Sequence, residues 1–229
     1  WPTNEYTNIY AMTDKIKYAI IGAGCMGQEH ILNIGIIDDA EVVALCDTSE
    51  QSIQESLELL NNEVAIFNDY NDLIDANIAD AFIIATPNFT HIDVLKDVMK
   101  SEAHLLIEKP LCTTVKDCQE FEKLAENYPG VIWTAMEYRY MPPVQRLINE
   151  IHNNTIGDLK MLSIREHRFP FLHKVDDWNR FAIKTGGTLV EKCCHFFDLM
   201  RLIAQSEPVK VYASGNQDVN HLDETYEGM

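Results

Sequence analysis

GAGCMG, residues 22–27, stands between the apolar run KYAII (17–21) and the segment QEHILNIGII (28–37), so three glycines fall where a strand hands over to a helix. Glycines also collect wherever a backbone turns tightly, so the neighbours decide the reading. Gly22 ends an apolar strand, Gly27 opens a helical segment, and Asp47 closes the next strand, EVVALCD (41–47), about 20 residues further on. Strand, turn, helix and acidic strand end together make the dinucleotide fingerprint. In that reading Gly22 permits the turn, Gly24 lets the backbone approach a pyrophosphate, and Gly27 allows close helix packing. The helix start at Cys25 and Met26 offers N–H groups to the anion. The Asp47 carboxylate accepts hydrogen bonds from ribose hydroxyls and repels a 2'-phosphate, which favours NAD over NADP.

Working outward, short β-rich runs alternate with helical ones: EVAIF (63–67), AFIIATP (81–87), HLLIEKP (104–110) and VIWTAME (131–137), with SIQESLELL and HIDVLKDVMK among the crossovers. The pattern predicts an α/β fold built on a doubly wound parallel sheet. After about residue 140 the pattern changes. A proline-opened helix (PPVQRLINEIHN), a longer alternating strand (KMLSIREHRF), a helix over LVEKCCHFFDLMRLIA and a further strand (VKVYASG) predict part of an α+β domain with an open sheet. The expected division is an extension over 1–14, expected to be disordered, an NAD-binding Rossmann domain over 15–137 and a partial substrate and oligomerisation domain over 138–229.

The 229 residues carry 18 Lys and Arg against 36 Asp and Glu, a formal net charge of -18. That field repels nucleic acid and anionic membrane surfaces, so neither is expected as a partner. No apolar run approaches the roughly 20 residues of a membrane helix, and the six cysteines form no CxxC pair. Reduced thiols and a cytoplasmic location are the expectation.

Three further motifs carry chemistry, each with a plainer alternative. ATPNFTH (85–91) ends a strand where open α/β sheets bind ligands, so Thr86, Pro87 and Asn88 lie along the cofactor, or else the segment caps the following helix. EKP (108–110) places Lys109 at another such strand end, as a functional lysine or a surface one. EKCCH (191–195) puts Glu191 and His195 four apart, sharing one face of a helix. A carboxylate beside an imidazole suits proton transfer near neutral pH; a helix salt bridge is the alternative. Adjacent Cys193 and Cys194 point apart on a helix, so no metal is expected. Trp178 and Arg180 in DDWNR line a polyol pocket or anchor a loop.

In this order, over roughly residues 15–215, GAGCMG, Asp47, ATPNFTH, EKP, YRYMPP and GGTLVEKCCHFFD resemble the Gfo/Idh/MocA oxidoreductases, the family of glucose-fructose oxidoreductase and inositol dehydrogenase. The resemblance implies an NAD-dependent dehydrogenase oxidising a secondary alcohol of a sugar, inositol or related polyol. It assigns the chemistry to Lys109, Glu191 and His195. His91 and Glu108 join the cofactor contacts, and Arg139 joins Trp178, Arg180 and His195 around the substrate. Two departures stand out: Glu191 replaces the family's usual Asp and Cys193 its usual Gly. Members of the family normally continue past the position of Met229 through more strands of a sheet that often forms a dimer interface. A chain truncated in its C-terminal domain, and a homo-oligomer when full length, are therefore expected. A redox-neutral NAD-dependent glycosidase and a non-catalytic NAD-binding regulator remain alternatives.

Overall fold

A computed structural model describes residues 15–167 and 174–215. Its centre is a six-stranded parallel sheet in the order β3-β2-β1-β4-β5-β6. The strands are β1 (Ile16–Ile21), β2 (Ala40–Cys46), β3 (Ala65–Phe67), β4 (Ala81–Ile84), β5 (His104–Ile107) and β6 (Ile132–Thr134). β1 pairs on one side with β2, from Ile16↔Ala40 to Ile21↔Cys46, and on the other with β4, from Tyr18↔Ala81 to Ile21↔Ile84. The strand order therefore reverses beside β1, and the sheet is doubly wound, with its ligand-binding switch point at the end of that strand.

Central strands with both faces covered must be apolar throughout, and all four residues of β4, AFII, are buried. Crossover helices α1 (Cys25–Ile34), α2 (Glu50–Leu57) and α3 (Tyr70–Ala76) return the chain between strands. Ile31 and Ile34 of α1 pack with Ile20, Val42, Leu45, Ile53 and Ile83 into one buried cluster. Each such side chain contributes about 1.5–3 kcal/mol by leaving water. Local chemistry sets the helix starts. Ser49 accepts the Ser52 N–H at 3.2 Å to cap α2, and Asp69 accepts the Asn71 N–H at 2.8 Å to cap α3.

The remaining helices are α4 (His91–Val98), α5 (Val115–Ala125), α6 (Pro142–His152), α7 (Ala182–Thr185), α8 (Thr188–Glu191) and α9 (Cys194–Ala204). Three-residue to six-residue 3-10 turns cover Asn88–Thr90, Glu137–Tyr140 and Val175–Arg180. The chain divides into two compact units. Of the described residues, the first holds those up to Thr86, Lys96–Leu106 and Tyr128–Ile132; the second holds Pro87–Leu95, Ile107–Asn127 and those from Trp133 on. This division interleaves along the sequence, because strand ends and the turns after them belong to the second unit.

Three expectations beyond residue 140 differ from the structure. Residues 161–167 of the KMLSIREHRF segment form no strand, and its last two residues lie outside the described ones. VKVYASG (209–215) forms none either, and Val209, Val211 and Tyr212 stand exposed. Alternation specifies which face a strand would bury, but a strand exists only where a neighbour completes its hydrogen bonds. No described segment pairs with these two. The third difference is that LVEKCCHFFDLMRLIA is not one helix: it breaks at Lys192 and Cys193 between α8 and α9.

Candidate active site

The first unit holds the glycine turn. Gly22 has φ +98, and a Cβ there would lie 2.6 Å from the Ala85 carbonyl carbon and 2.7 Å from the Thr86 nitrogen. Only glycine meets both demands at this close approach of the β1 and β4 ends. A Cβ on Gly27 would fall 2.1 Å from the Gly22 oxygen, so glycine there lets α1 pack against the turn. Gly24 differs from both. Its φ is -76, and a Cβ would meet nothing within 4 Å. The fold does not require glycine at 24, and the backbone there is open to an approaching group. No side chain caps α1 and its first turn carries no acidic residue, so the N–H groups at Cys25 and Met26 are open to an anion.

Asp47 stands at the end of β2 with both carboxylate oxygens in use. One accepts the Ala23 N–H at 2.7 Å, and the other accepts the Ser49 N–H at 2.8 Å. The carboxylate is thereby fixed against the glycine turn, with lone pairs left for ribose hydroxyls. These features fit a dinucleotide: a backbone open at Gly24, an uncapped helix start and an anchored acceptor.

The second unit gathers the proposed chemistry. Lys109 follows β5, and its bond to Pro110 is cis. The imidazole of His91 is fully buried, with Nδ1 3.0 Å from the Pro110 carbonyl oxygen. His91 therefore supports the EKP turn from within and exposes no ring to a cofactor. Glu108 is also buried, and its carboxylate accepts the Lys109 N–H at 3.2 Å. Lys109 Nζ donates to the Glu191 carbonyl oxygen at 3.3 Å, joining the strand end to the last residue of α8. Just before α8, Gly186 has φ +79, and a Cβ there would come within 2.7 Å of the Thr113 oxygen. The double glycine thus brings the helix start against the loop that follows EKP.

The helix break separates the expected acid–imidazole pair. Glu191 is buried, but its carboxylate faces Lys192 Nζ at 3.3 Å. His195, on α9, turns Nε2 toward Glu137 Oε1 at 3.4 Å, and Tyr138 stacks on its ring with centroids 4.1 Å apart and planes within 6°. The carboxylate beside His195 is Glu137, a residue the sequence reading did not single out. Cys193, where the family usually has glycine, has φ -75 and ψ -7, a conformation open to any residue.

Burial, and next the positive charge of Lys109, push the His195 pKa down from 6.5 to about 4; Lys192 acts in the same direction, while Glu108 and Asp198 oppose them. Burial raises the Glu137 carboxyl above the ordinary carboxylate range. His195 is therefore neutral at pH 7, the form that accepts a proton. Because protonation is harder in the folded state, the His195 contribution is fully present above about pH 6.5 and is lost as pH falls toward about 4. At about 1.4 kcal/mol for each pH unit, this costs about 3 kcal/mol. Glu137 acts with the opposite sign, since its raised pKa favours the folded state on acidification, and offsets part of the loss. Urea unfolding between pH 4 and 7 is expected to show a slope that flattens in His195→Asn. An equal slope in both proteins would assign the acid sensitivity elsewhere.

The other expected contacts are distributed as follows. Asn88 is buried, and its Nδ2 has no hydrogen-bond partner among the described residues, while Thr90, not Asn88, closes the turn by donating its hydroxyl to the Pro87 oxygen at 2.8 Å. Thr86 is half-buried at the end of the first unit's β4 segment. The Arg139 guanidinium forms a two-pronged pair with Asp198 on α9, so it clamps the Glu137–Tyr140 turn to that helix. Trp178 packs edge-on to Phe89 at 6.4 Å, and Arg180 Nε lies 3.3 Å from Asp177 Oδ1. Arg139 and Arg180 are thus engaged within the protein, and Trp178 is the member of this group that presents an aromatic face beside the Asn88 turn. Among the described residues no group of three or more His, Cys, Asp or Glu could hold a metal, and no helix is long and apolar enough to cross a membrane.

Known proteins are similar to this chain. The chain is 27% identical over 194 residues to the rhizopine catabolism protein MocA of Rhizobium meliloti, covering 85% of this chain and 59% of that protein. It is 27% identical over 201 residues to the myo-inositol 2-dehydrogenase of Thermotoga maritima, covering 88% and 58%. The chain thus spans less than two thirds of the length of these curated relatives. The crystal structure of a probable dehydrogenase from Thermotoga maritima superimposes with a TM-score of 0.71 at 26% identity, over 84% of this chain and 56% of that one. Residues 148–227 match the C-terminal alpha/beta domain of an oxidoreductase family, and residues 16–136 match its NAD-binding Rossmann fold. With its glycine turn, its anchored Asp47 and both matched segments in order, the chain belongs to this NAD-binding Gfo/Idh/MocA oxidoreductase family.

Proposed function

We propose that the protein oxidises a secondary alcohol of a sugar, an inositol or a related polyol with NAD. The observation that carries this reading is the junction in the second unit, where Lys109 Nζ is held on the Glu191 carbonyl and His195 follows within one turn of chain. An ammonium group held at Glu191 and a neutral imidazole four residues further on are what alcohol oxidation requires of a protein: a cation to stabilise a developing alkoxide and a base for the hydroxyl proton. NAD, when bound, supplies the hydride acceptor. In this reading the Gly22–Gly27 turn and Asp47 hold the nucleotide, with Thr86, Pro87, Asn88 and Glu108 as further contacts and His91 as a support for the EKP turn. Lys109 stabilises the alkoxide and the His195 imidazole receives the proton. Glu191 contributes by its carbonyl, which fixes Lys109, and by its carboxylate, which neutralises Lys192. Trp178 lines the substrate side, with Arg139 and Arg180 shaping it from behind. Inositol dehydrogenases among the relatives support the polyol class.

A panel of inositols, sugars and sugar acids with NAD, followed at the NADH absorbance band, tests the reading. Stoichiometric NADH with at least one polyol is the expected result. Product formation without net NADH, or none with any member, overturns it.

NAD preference over NADP follows from Asp47. Its charge repels a 2'-phosphate, and no arginine accompanies it in the Asp47-Thr48-Ser49 turn. Asp47→Ser is expected to shift the ratio of NADPH to NADH affinities by about tenfold or more toward NADPH, about 1.4 kcal/mol. Fluorescence titration with both reduced cofactors measures it. Tighter NADPH than NADH binding by the unmutated protein would contradict the assignment.

A further inference from the structure

His195 is almost fully enclosed, with a side chain 4% exposed, whereas the Glu137 side chain 3.4 Å from its Nε2 is 55% exposed. A base so enclosed can take a proton from a substrate hydroxyl once, but it must pass that proton on before the next turnover. Glu191 does not offer the route, because its own carboxylate is buried against Lys192. Glu137 reaches both the ring and water. Its position is fixed by its neighbours: Tyr138 lies parallel on the imidazole, and Arg139 is clamped to Asp198 on the helix that carries His195. One short turn, Glu137–Tyr140, thus supplies the carboxylate, the stacking ring and the clamp.

We propose that Glu137 is the proton relay of His195, a positioning residue that acts through the imidazole and connects it to solvent. The proposal rests on the dehydrogenase reading above for the origin of the proton. The hydroxyl O–H bond breaks and its proton bonds to the His195 ring, whose Nε2 faces Glu137, while NAD, when bound, would accept the hydride of the same alcohol. The Nε2–H bond then breaks and the proton bonds to Glu137 Oε1. Water takes it from the exposed side of the carboxyl, and imidazole and carboxylate return to their starting states. Each turnover releases one proton to bulk. The charges facing His195 favour rapid transfer onward: Lys109 and Lys192 disfavour an imidazolium, and Glu108 and Asp198 only partly compensate. Burial raises the affinity of Glu137 for a proton, which matches it to the role of acceptor.

The test combines ring titration and turnover on the whole chain. With isotope-labelled histidine, the His195 ring resonances are followed against pH in the unmutated protein, E137Q and E191Q. The expected result is His195 ring resonances at pH 7 displaced in E137Q, because the ionised carboxylate facing Nε2 is lost there, and less displaced in E191Q, whose carboxylate faces Lys192. On the best polyol, E137Q is expected to lower kcat by up to about 100-fold with KM little changed, E137D to retain most of it, and added formate to restore turnover in E137A. His195 ring resonances at pH 7 unmoved in E137Q overturn the relay even if polyols are oxidised, as does full turnover in E137A without formate. Ring resonances displaced more in E137Q than in E191Q support it even if no polyol in the panel is oxidised, and in that case the dehydrogenase reading alone fails.

Discussion

Replacing His195 by alanine is expected to lower turnover by about 100- to 10,000-fold, or roughly 3 to 5 kcal/mol of barrier, while leaving NADH affinity nearly unchanged. The size follows from the proposed role: a neutral imidazole that accepts the hydroxyl proton, kept neutral down to about pH 4 by its burial and the charge of Lys109. Nucleotide affinity is spared because the glycine turn and Asp47, rather than His195, are proposed to supply most of the nucleotide contacts. Lys109→Met is expected to depress turnover as well and to disturb the Glu191 carbonyl that its Nζ holds. Glu191→Gln should do less damage than either, since the carbonyl remains and only the Lys192 pairing weakens. The acid limb of kcat/KM should fall near pH 4, well below the ordinary histidine range. Steady-state turnover and NADH binding for each variant, with the fold checked by circular dichroism, decide the matter. Near-normal turnover by folded His195→Ala would show that the imidazole serves packing alone.

The Rossmann sheet was legible because its signals are local. AFII reads as a strand buried on both faces without knowledge of its neighbours, and the interval from GAGCMG to Asp47 encodes the strand–turn–helix–strand unit directly. The second unit was less legible, because its features depend on partners far along the chain. The break between α8 and α9 coincides with a bond from Lys109 to the Glu191 carbonyl, across 82 residues, and periodicity within LVEKCCHFFDLMRLIA carries no trace of it. Glu137 meets His195 across a similar gap. One signal could have drawn attention to it: like Thr86 and Lys109, it follows the C-terminal end of a sheet strand, since β6 stops at Thr134 where a strand through Glu137 was expected. The Arg139 assignment shows the opposite limit. The resemblance places Arg139 around the substrate, but neither motif nor composition gives a sign that its guanidinium pairs with Asp198.

Alanine placed singly at Gly22, Gly24 and Gly27 is expected to separate the structural glycines from the ligand-facing one. At Gly22 the backbone has φ +98, and the new Cβ would lie 2.6 Å from the Ala85 carbonyl, so the variant suffers both conformational strain and collision with main chain. At Gly27 the Cβ would stand 2.1 Å from the Gly22 oxygen, which forces α1 away from the strand it packs on. Neither obstacle is the end of a flexible side chain that could swing aside. Both variants should lose about 3 to 5 kcal/mol of stability, the range of single changes with a severe structural cause, and lose NADH binding with the fold. Gly24→Ala is different in kind: with φ -76 and nothing within 4 Å of the new Cβ, its stability should stay within about 0.5 kcal/mol of the unmutated protein. Its methyl group would nevertheless project at the open start of α1, where a pyrophosphate must come close to the backbone, so NADH affinity should fall by at least about tenfold. Thermal unfolding and NADH titration on the three variants measure the two effects independently. Normal NADH binding by Gly24→Ala would mean that the dinucleotide does not use this turn, and an unchanged melting temperature for Gly22→Ala would mean that β1 and β4 do not approach at Ala85 as described.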